Sequence, residues 1–104
     1  MRTYRSLRRR NEFAHVQRRG RRSVSGHLVL LIAESGGGSR VGVTVSKAVG
    51  NAVVRNRLRR RIKALLDRRS IGGPPYRDYL FIARPGAGAL AFPALAAEVG
   101  ALLG

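Results

Sequence analysis

Cysteine is absent from this 104-residue chain, and acidic residues are scarce. Without thiols the chain can form no disulfide, no thiolate nucleophile and no cysteine-ligated zinc site. Only 5 Asp and Glu stand against 21 Lys and Arg, which gives a formal net charge of +16 and a pI near 12.0. A surface with this charge repels itself, so a polyanionic partner is expected.

Long apolar runs and catalytic constellations are also missing. No run approaches the roughly 20 apolar residues of a membrane span, and the Arg-rich start lacks the apolar segment of a signal peptide. We therefore expect a cytoplasmic protein without a membrane partner. His15 and His27 stand alone, and the carboxylates are scattered. The sequence predicts a polypeptide that is not catalytic by itself, takes no small-molecule substrate and binds no cofactor or metal of its own.

The cations are almost all arginines, since Lys47 and Lys63 are the only lysines. A guanidinium group can fork onto phosphate oxygens and stack on bases. High genomic GC content would explain the same bias equally well. By charge alone, nucleic acid or the surface of an anionic membrane could be the polyanionic partner, and of the two we expect nucleic acid.

The length predicts a single domain over residues 1–104, with residues 1–8 as a mobile basic arm. Phe13 and Val16 indicate a short helix from about Arg9 to Arg19, which ends at Gly20. Apolar, β-branched runs predict strands at 27–33 and 40–46 with a flexible glycine-rich connection between them. Residues 20–26 are a candidate for a further edge strand.

The segment 51–69 is the strongest helix, because its apolar residues fall on one stripe: Val54, Leu58, Ile62, Leu65 and Leu66. At about 100° per residue, its polar residues form two flanks: Asn56, Arg59, Arg60 and Lys63 on one, and Arg57, Arg61 and Arg68 on the other. Two prolines end this helix. A strand over 79–84 and an amphipathic helix over 90–103 complete the pattern.

The order of elements is therefore α, β, β, with a possible third β, then α, β, α. It predicts an α/β (α+β) two-layer sandwich with a small central sheet. The strand, helix and strand over 40–84 form a crossover unit, and such units are right-handed in roughly 98% of cases.

The density of cations on the 51–69 helix points to nucleic acid. Several arginines crowd within two turns with only Asp67 nearby, and like charges at this spacing destabilise a helix. Phosphates at this face would relieve the repulsion, whereas a merely solvated face would not. A DNA-binding helix-turn-helix is the weaker alternative, because this helix follows a strand and not a helix and turn.

One stretch resembles the signature of the ribonuclease P protein family. Its residues are Ser46-Lys47, Gly50-Asn51-Ala52-Val53, Arg55-Asn56-Arg57 and Arg60. Two more segments are similar to that family in the same order, namely Asp78 to Arg84 as its penultimate strand and Arg10 to Phe13 as its first helix. The similarity spans nearly the whole chain.

The resemblance implies a compact fold related to one ribosomal-protein domain, with an unusual left-handed crossover. It also implies a non-catalytic protein subunit of a ribonucleoprotein endoribonuclease, whose catalytic RNA uses Mg²⁺ to remove the 5′ leader of precursor tRNA. The partners would be that catalytic RNA and precursor tRNA. The alternative is a ribosomal or general RNA-binding protein of the same fold.

Two groups of site residues follow from the resemblance. The first would bind RNA: Lys47, Asn51, Arg55, Asn56, Arg57, Arg59, Arg60 and Lys63. The second would hold the single-stranded leader in a cleft between the first helix and the sheet: Phe13, Gln17 and Leu31. Gln17 and Leu31 stand where the family often has aromatics, so base stacking depends on Phe13, which is equally well explained as a core residue.

Overall fold

The computed structural model describes residues 4 to 104. It contains five strands and three α-helices in this order: β1 (Arg5–Ser6), α1 (Arg10–Arg19), β2 (Arg21–Val24), β3 (Leu28–Glu34), β4 (Arg40–Val45), α2 (Ala52–Arg69), β5 (Arg77–Ala83) and α3 (Phe92–Leu103). Every predicted helix and strand is present, and the candidate edge strand is β2. The strand β1 was not predicted.

The strands form one mixed sheet in the order β1-β4-β5-β3-β2. β4 is parallel to both of its neighbours, β1 and β5, whereas β3 is antiparallel to β5 and β2. The predicted α+β class with a small central sheet is confirmed. β5 is the middle strand and pairs along its length with both β3 and β4.

The sheet carries helices on both of its faces, where the sequence predicted two layers. Alternate residues of β3 show the division, because Leu30 packs with α2 and α3 while Leu31 packs with α1. α1 has its own apolar residues, Phe13 and Val16, and they cover the second face. The sheet therefore lies between α1 and the α2/α3 pair.

The predicted mobile arm over 1–8 is wrong from Tyr4 onward. Tyr4 and Leu7 are each only 6% exposed, and they enter opposite apolar layers. The main chain is also paired, since the Leu7 N–H donates to the Val41 carbonyl at 2.8 Å. The arginines at positions 5 and 8 obscured a strand pattern in which Tyr4 and Leu7 each anchor one layer. Residues 1–3 lie outside the described residues.

The crossover from β4 through α2 to β5 is left-handed, as the resemblance implied. The carbonyl of Val41 faces β1, and its side chain lies in the layer beneath α2. Consider a strand of L-residues viewed with its chain running upward. A residue whose side chain points toward the viewer then has its main-chain N–H and C=O on the viewer's right. Seen from α2, β1 is therefore to the right of β4 and β5 is to the left. The chain thus moves leftward as it crosses in front of the sheet, against the usual right-handed preference.

A buried ion pair joins β4, β5 and α1. Asp78 is 0% exposed and accepts two hydrogen bonds from Arg40, from Nε at 2.8 Å and from Nη2 at 2.6 Å. The remaining nitrogen, Nη1, lies 3.0 Å from Glu12 Oε2. The hydrogen bond to Asp78 raises the pKa of Arg40 above its ordinary value. Arg40 therefore stays charged and satisfies carboxylates from two elements.

Glu12 also fixes the start of α1. Its Oε1 accepts hydrogen bonds from the main-chain N–H of Arg8 at 2.8 Å and of Arg9 at 3.2 Å. These bonds, with the nearby Arg40, hold the pKa of Glu12 below its ordinary value. The first turn of α1 is thus attached to the sheet through one carboxylate.

A second polar cluster attaches α3 to the turn between β2 and β3. Glu98 Oε2 lies 2.7 Å from His27 Nδ1, and Glu98 Oε1 accepts from the His27 main-chain N–H at 2.8 Å. The Ser25 hydroxyl also donates to Glu98. Burial raises the pKa of Glu98, but these hydrogen bonds outweigh burial and hold it below the ordinary value of 4.5.

The Glu98 cluster predicts a stability difference that depends on pH. A carboxylate with a depressed folded-state pKa stabilises the fold above its ordinary pKa, and this contribution is lost as pH falls through the folded value. Glu98→Gln should therefore be less stable than the parent by about 1 kcal/mol near neutral pH, with the gap closing below pH 4.5. Urea unfolding of both proteins from acid to neutral pH measures this, and a gap that stays constant down to acid pH would contradict it.

Candidate nucleic-acid interface

The entry into α2 explains why the sequence Gly50-Asn51 precedes the cationic segment. Asn51 is the N-cap, and its side-chain oxygen accepts a hydrogen bond from the Val54 N–H at 3.0 Å. A Cβ on Gly50 would lie 2.9 Å from Val54 Cγ1. The side-chain oxygen of Asn51 thus has a structural role, and glycine is required before it because Val54 leaves no room.

The apolar stripe of α2 is buried against the sheet as predicted, and the polar stripe is outward. Leu58, Ile62, Leu65 and Leu66 are buried. On the outer side, Asn56, Arg57 and Arg60 are exposed, whereas Arg59 and Lys63 are partly buried. Lys47, in a short 3₁₀ turn just before α2, is exposed as well. Seven of the eight predicted RNA-binding residues therefore lie at the N-terminal entry or along the solvent side of one helix, namely all of them except Arg55.

Arg55 differs from the other predicted contacts. It lies about 60° from Leu58 around the helix, beside the buried stripe, and is half-buried. Its Nε is buried and has no hydrogen-bond partner. A buried N–H without a partner costs roughly 1 to 3 kcal/mol. The structure therefore sets Arg55 apart from the outer group with which the sequence placed it.

Weak contacts orient some of these arginines without neutralising them. Arg59 Nη1 donates to Asn56 Oδ1 at 3.0 Å, and Arg57 Nη2 reaches the Gly88 carbonyl at 3.4 Å. Arg68 lies 5.7 Å from the centroid of the Phe92 ring, a distance typical of a cation–π contact. Within residues 4 to 104, the ion pairs involve no arginine of α2. Among the described residues, the outer face of α2 is thus a cationic surface whose arginines form no ion pair.

The three predicted leader-binding residues lie around α1 in different environments. Leu31 is 9% exposed and belongs to the apolar layer under α1. Phe13 is half-buried and packs above Gly42 of β4, where a Cβ would approach the ring to 3.0 Å. Gln17, one turn further on, is exposed. The cluster therefore has a packed floor and an open rim.

The Arg40–Asp78 ion pair, which positions this cluster, was not predicted from the sequence. Arg40 and Asp78 are 38 residues apart and meet only because β4 and β5 are neighbours. The available signal was a single carboxylate, Asp78, at the head of an otherwise apolar strand. Buried carboxylates require a partner, but the sequence does not say which arginine supplies it.

The fold and the outer face of α2 together define a class of protein. An α+β sheet domain with a net charge of +16, whose longest helix presents unpaired arginines to solvent, is a nucleic-acid-binding module.

The comparisons with known proteins identify the family. The ribonuclease P family pattern matches residues 1–104. The chain is similar to a ribonuclease P protein component of Acidothermus cellulolyticus, with 40% identity over 94% of this chain and 84% of that protein. It is likewise similar to the Streptomyces bikiniensis component, with 40% identity over 93% of this chain and 87% of that protein. The chain belongs to the ribonuclease P protein family.

Solved structures agree with the fold. The RNase P protein of Thermotoga maritima matches with a TM-score of 0.82 at 25% identity, covering 94% of each chain. That of Staphylococcus aureus matches with a TM-score of 0.86, covering 94% of this chain and 91% of that one; at 22% identity it supports the fold alone. The predicted family is confirmed, and with it the role of a protein component in tRNA 5′-leader processing together with an RNA subunit.

Proposed function

We propose that the outer face of α2 binds the catalytic RNA of ribonuclease P. The observation that carries this proposal is the row of exposed cations, Arg57 and Arg60 above all, which form no ion pair within residues 4 to 104. Arginine forks match phosphate oxygens in two-point geometry. The two flanks of the helix can contact separate phosphate tracks, with Asn56, Arg59 and Lys63 on one side and Arg57 on the other.

The second part of the proposal concerns precursor tRNA. Its single-stranded leader would lie along the open rim of the α1 cluster, across Phe13 and Gln17, with Leu31 beneath them. Base stacking on an aromatic contributes roughly 1 to 3 kcal/mol per base. Because Phe13 is the only aromatic there and is half-buried, only its exposed portion is available to a base.

We assign Mg²⁺ to the RNA subunit, and the compartment of assembly to the cytoplasm. Among residues 4 to 104 no group of three or more His, Asp or Glu is arranged to hold a metal ion. No helix of the same residues has both the length and the apolar composition to cross a membrane. The contribution of the protein is positive charge and positioning, since each phosphate that it neutralises strengthens binding in a salt-dependent way.

Precursor tRNA cleavage tests the proposal directly. The cognate RNA subunit is assayed at near-physiological salt with and without the protein, and the protein is assayed alone. We expect the protein to stimulate the RNA and to cleave nothing by itself. A protein that binds RNA but does not stimulate cleavage would instead be a general or ribosomal RNA-binding module. Cleavage by repurified, RNA-free protein would contradict the non-catalytic role.

Phe13→Leu separates leader recognition from packing. The change keeps apolar volume but removes the stacking surface. If Phe13 contacts a leader base, affinity for precursor tRNA should fall by about 1 kcal/mol or more, while affinity for mature tRNA is unchanged because it lacks the leader. Paired affinities of the holoenzyme for the two RNAs give the result.

The control for that prediction is the melting curve of the free protein. A volume-conserving change in a packed site costs up to about 1.5 kcal/mol, and Phe13 packs against the apolar cluster that contains Leu7 and Val16. A lower melting temperature with an unchanged ratio of the two affinities would show that Phe13 is a packing residue only.

A further inference from the structure

A cationic pocket lies at the end of the sheet where β3 finishes and β5 begins. It has a volume of about 930 Å³ and opens to solvent between the last turn of α1 and the starts of β2 and β5. Its walls carry the side chains of Arg18, Arg19, Arg21, Arg77 and His15. Glu34 is the only carboxylate among the lining residues. We call this the arginine pocket.

The charges of the arginine pocket are not balanced within the fold. In the described part of the chain, the guanidinium groups of its four arginines form no ion pair and no hydrogen bond. His15 Nε2 lies 3.2 Å from the main-chain carbonyl of Glu34, not from its carboxylate. Several guanidinium groups around one cavity repel each other, and this repulsion is relieved when an anion enters.

A structural explanation accounts for only part of the pocket. Arg18 and Arg19 occupy the last turn of α1, where cations interact favourably with the helix dipole. Arg21 and Arg77 stand at the starts of two strands that are not neighbours in the sheet. Helix stabilisation cannot explain their position. Four guanidinium groups are therefore brought together by tertiary structure and not by one solvated helix face.

The floor of the arginine pocket suits a nucleotide better than a simple anion. Ile32 and Ala33 supply apolar surface to the pocket. Ser35 and Gly36 also line it, and their small size leaves its edge open. A Cβ at Gly36 would meet nothing within 4 Å. Phosphate oxygens can therefore reach the arginines while the attached sugar and base lie on the apolar floor.

From this arrangement we propose that the arginine pocket binds the sugar–phosphate backbone of a second segment of the catalytic RNA. The proposal rests on the proposed function, and it adds a contact distant from α2. α2 begins beyond the end of β4, whereas the pocket lies at the opposite end of the sheet, where β5 begins. The protein would therefore contact RNA at both ends of its sheet. The pocket is also distinct from the open rim of the α1 cluster, where the leader is proposed to lie. Gln17 of that rim is about 200° around α1 from His15 of the pocket.

Site-directed cleavage locates the RNA, and the absence of native cysteine makes it specific. An iron–EDTA reagent is attached to single cysteines in three variants: Gly36→Cys at the pocket rim, Val53→Cys on α2, and Ala101→Cys on α3. Val53 is 72% exposed, and Ala101 is exposed on a helix without Lys or Arg. We expect two separate sets of cut nucleotides from the first two variants and none from the third.

Charge-matched single variants measure the strength of the contact. Arg21→Gln and Arg77→Gln should each weaken assembly with the catalytic RNA by about tenfold or more, and each should reduce the slope of log K against log salt by about 0.7 to 0.9 for its lost phosphate contact. Arg22→Gln is the control, because Arg22 is also exposed on β2 but does not line the arginine pocket. Assembly is measured without precursor tRNA, so that leader binding at the α1 cluster does not contribute to the measured affinity. Melting curves confirm that each variant folds.

The outcomes separate this proposal from the one before it. Cuts from Val53→Cys but not from Gly36→Cys, with Arg21 and Arg77 variants equal to the control, would overturn the arginine pocket and leave the α2 interface standing. No assembly by the parent protein would overturn the proposed function itself. The last measurement is a titration of the protein with inorganic phosphate, which tests whether the pocket binds a free anion. Tight phosphate binding without any RNA cuts would make the pocket a site for a free anion and reject the RNA proposal.

Discussion

Replacing Arg40 by alanine should lower the free energy of unfolding by about 3 to 5 kcal/mol. Asp78 is 0% exposed, and both of its oxygens depend on Arg40. Without Arg40 a charged carboxylate remains buried with no counter-charge. Since a domain of this size has only about 5 to 15 kcal/mol of stability, the melting temperature should fall by more than about 12 °C.

Two further variants make the result specific. Arg77→Ala removes an exposed arginine near the same end of the sheet and should change stability by no more than about 0.5 kcal/mol. Arg40→Met with Asp78→Leu removes both charges together, and it should recover most of the loss because no unpaired charge is left. A loss below 1 kcal/mol in Arg40→Ala would show that the pair is hydrated and does not hold the sheet together.

Replacing Arg57 and Arg60 together by alanine should weaken assembly with the catalytic RNA by at least about a hundredfold. Each charge-assisted contact is worth roughly 1.5 to 3 kcal/mol when well engaged, and 1.4 kcal/mol corresponds to tenfold in affinity. Both side chains are exposed. The one internal contact that either makes among described residues is the long hydrogen bond from Arg57 to Gly88, so the fold should survive.

Arg69→Ala is the matched control for α2. Arg69 is exposed and belongs to the same helix, but its guanidinium reaches toward Gly100 of α3. Its removal should leave assembly within about twofold, although it subtracts one of the two charges that the double variant loses. A control whose loss of binding free energy is half that of the double variant would mean that net charge alone drives binding. Unchanged affinity in the double variant would show that the outer face of α2 is only solvated.

The sequence predicted α2 well because local physics dominates there. An apolar stripe with helical spacing, an Asn N-cap and a dense run of arginines all point to the same structure. Arg55 was grouped with the outer residues by the linear signature, although helical spacing places it about 60° from Leu58, beside the buried stripe. How far that position is buried depends on what packs against α2, and this is a tertiary property.

The start of the chain was wrong for a related reason. Arg5 and Arg8 made residues 1–8 resemble a solvated tail, yet Tyr4 and Leu7 each fill a place in a different apolar layer. Those places exist only once β4 has an open edge to pair with. In the same way, Gly42 is needed because the Phe13 ring lies above it. This contact could not be predicted from local sequence, because the two residues belong to different elements.

The central position of β5 has a consequence for synthesis. β5 is the last strand to leave the ribosome, yet it is the strand that connects β3 to β4. Until residue 83 has been made, the two halves of the sheet have no common partner, and contacts this distant in sequence close slowly. The nascent chain therefore emerges with the two halves of the sheet unjoined, and folding of the whole sheet waits until β5 has been synthesised.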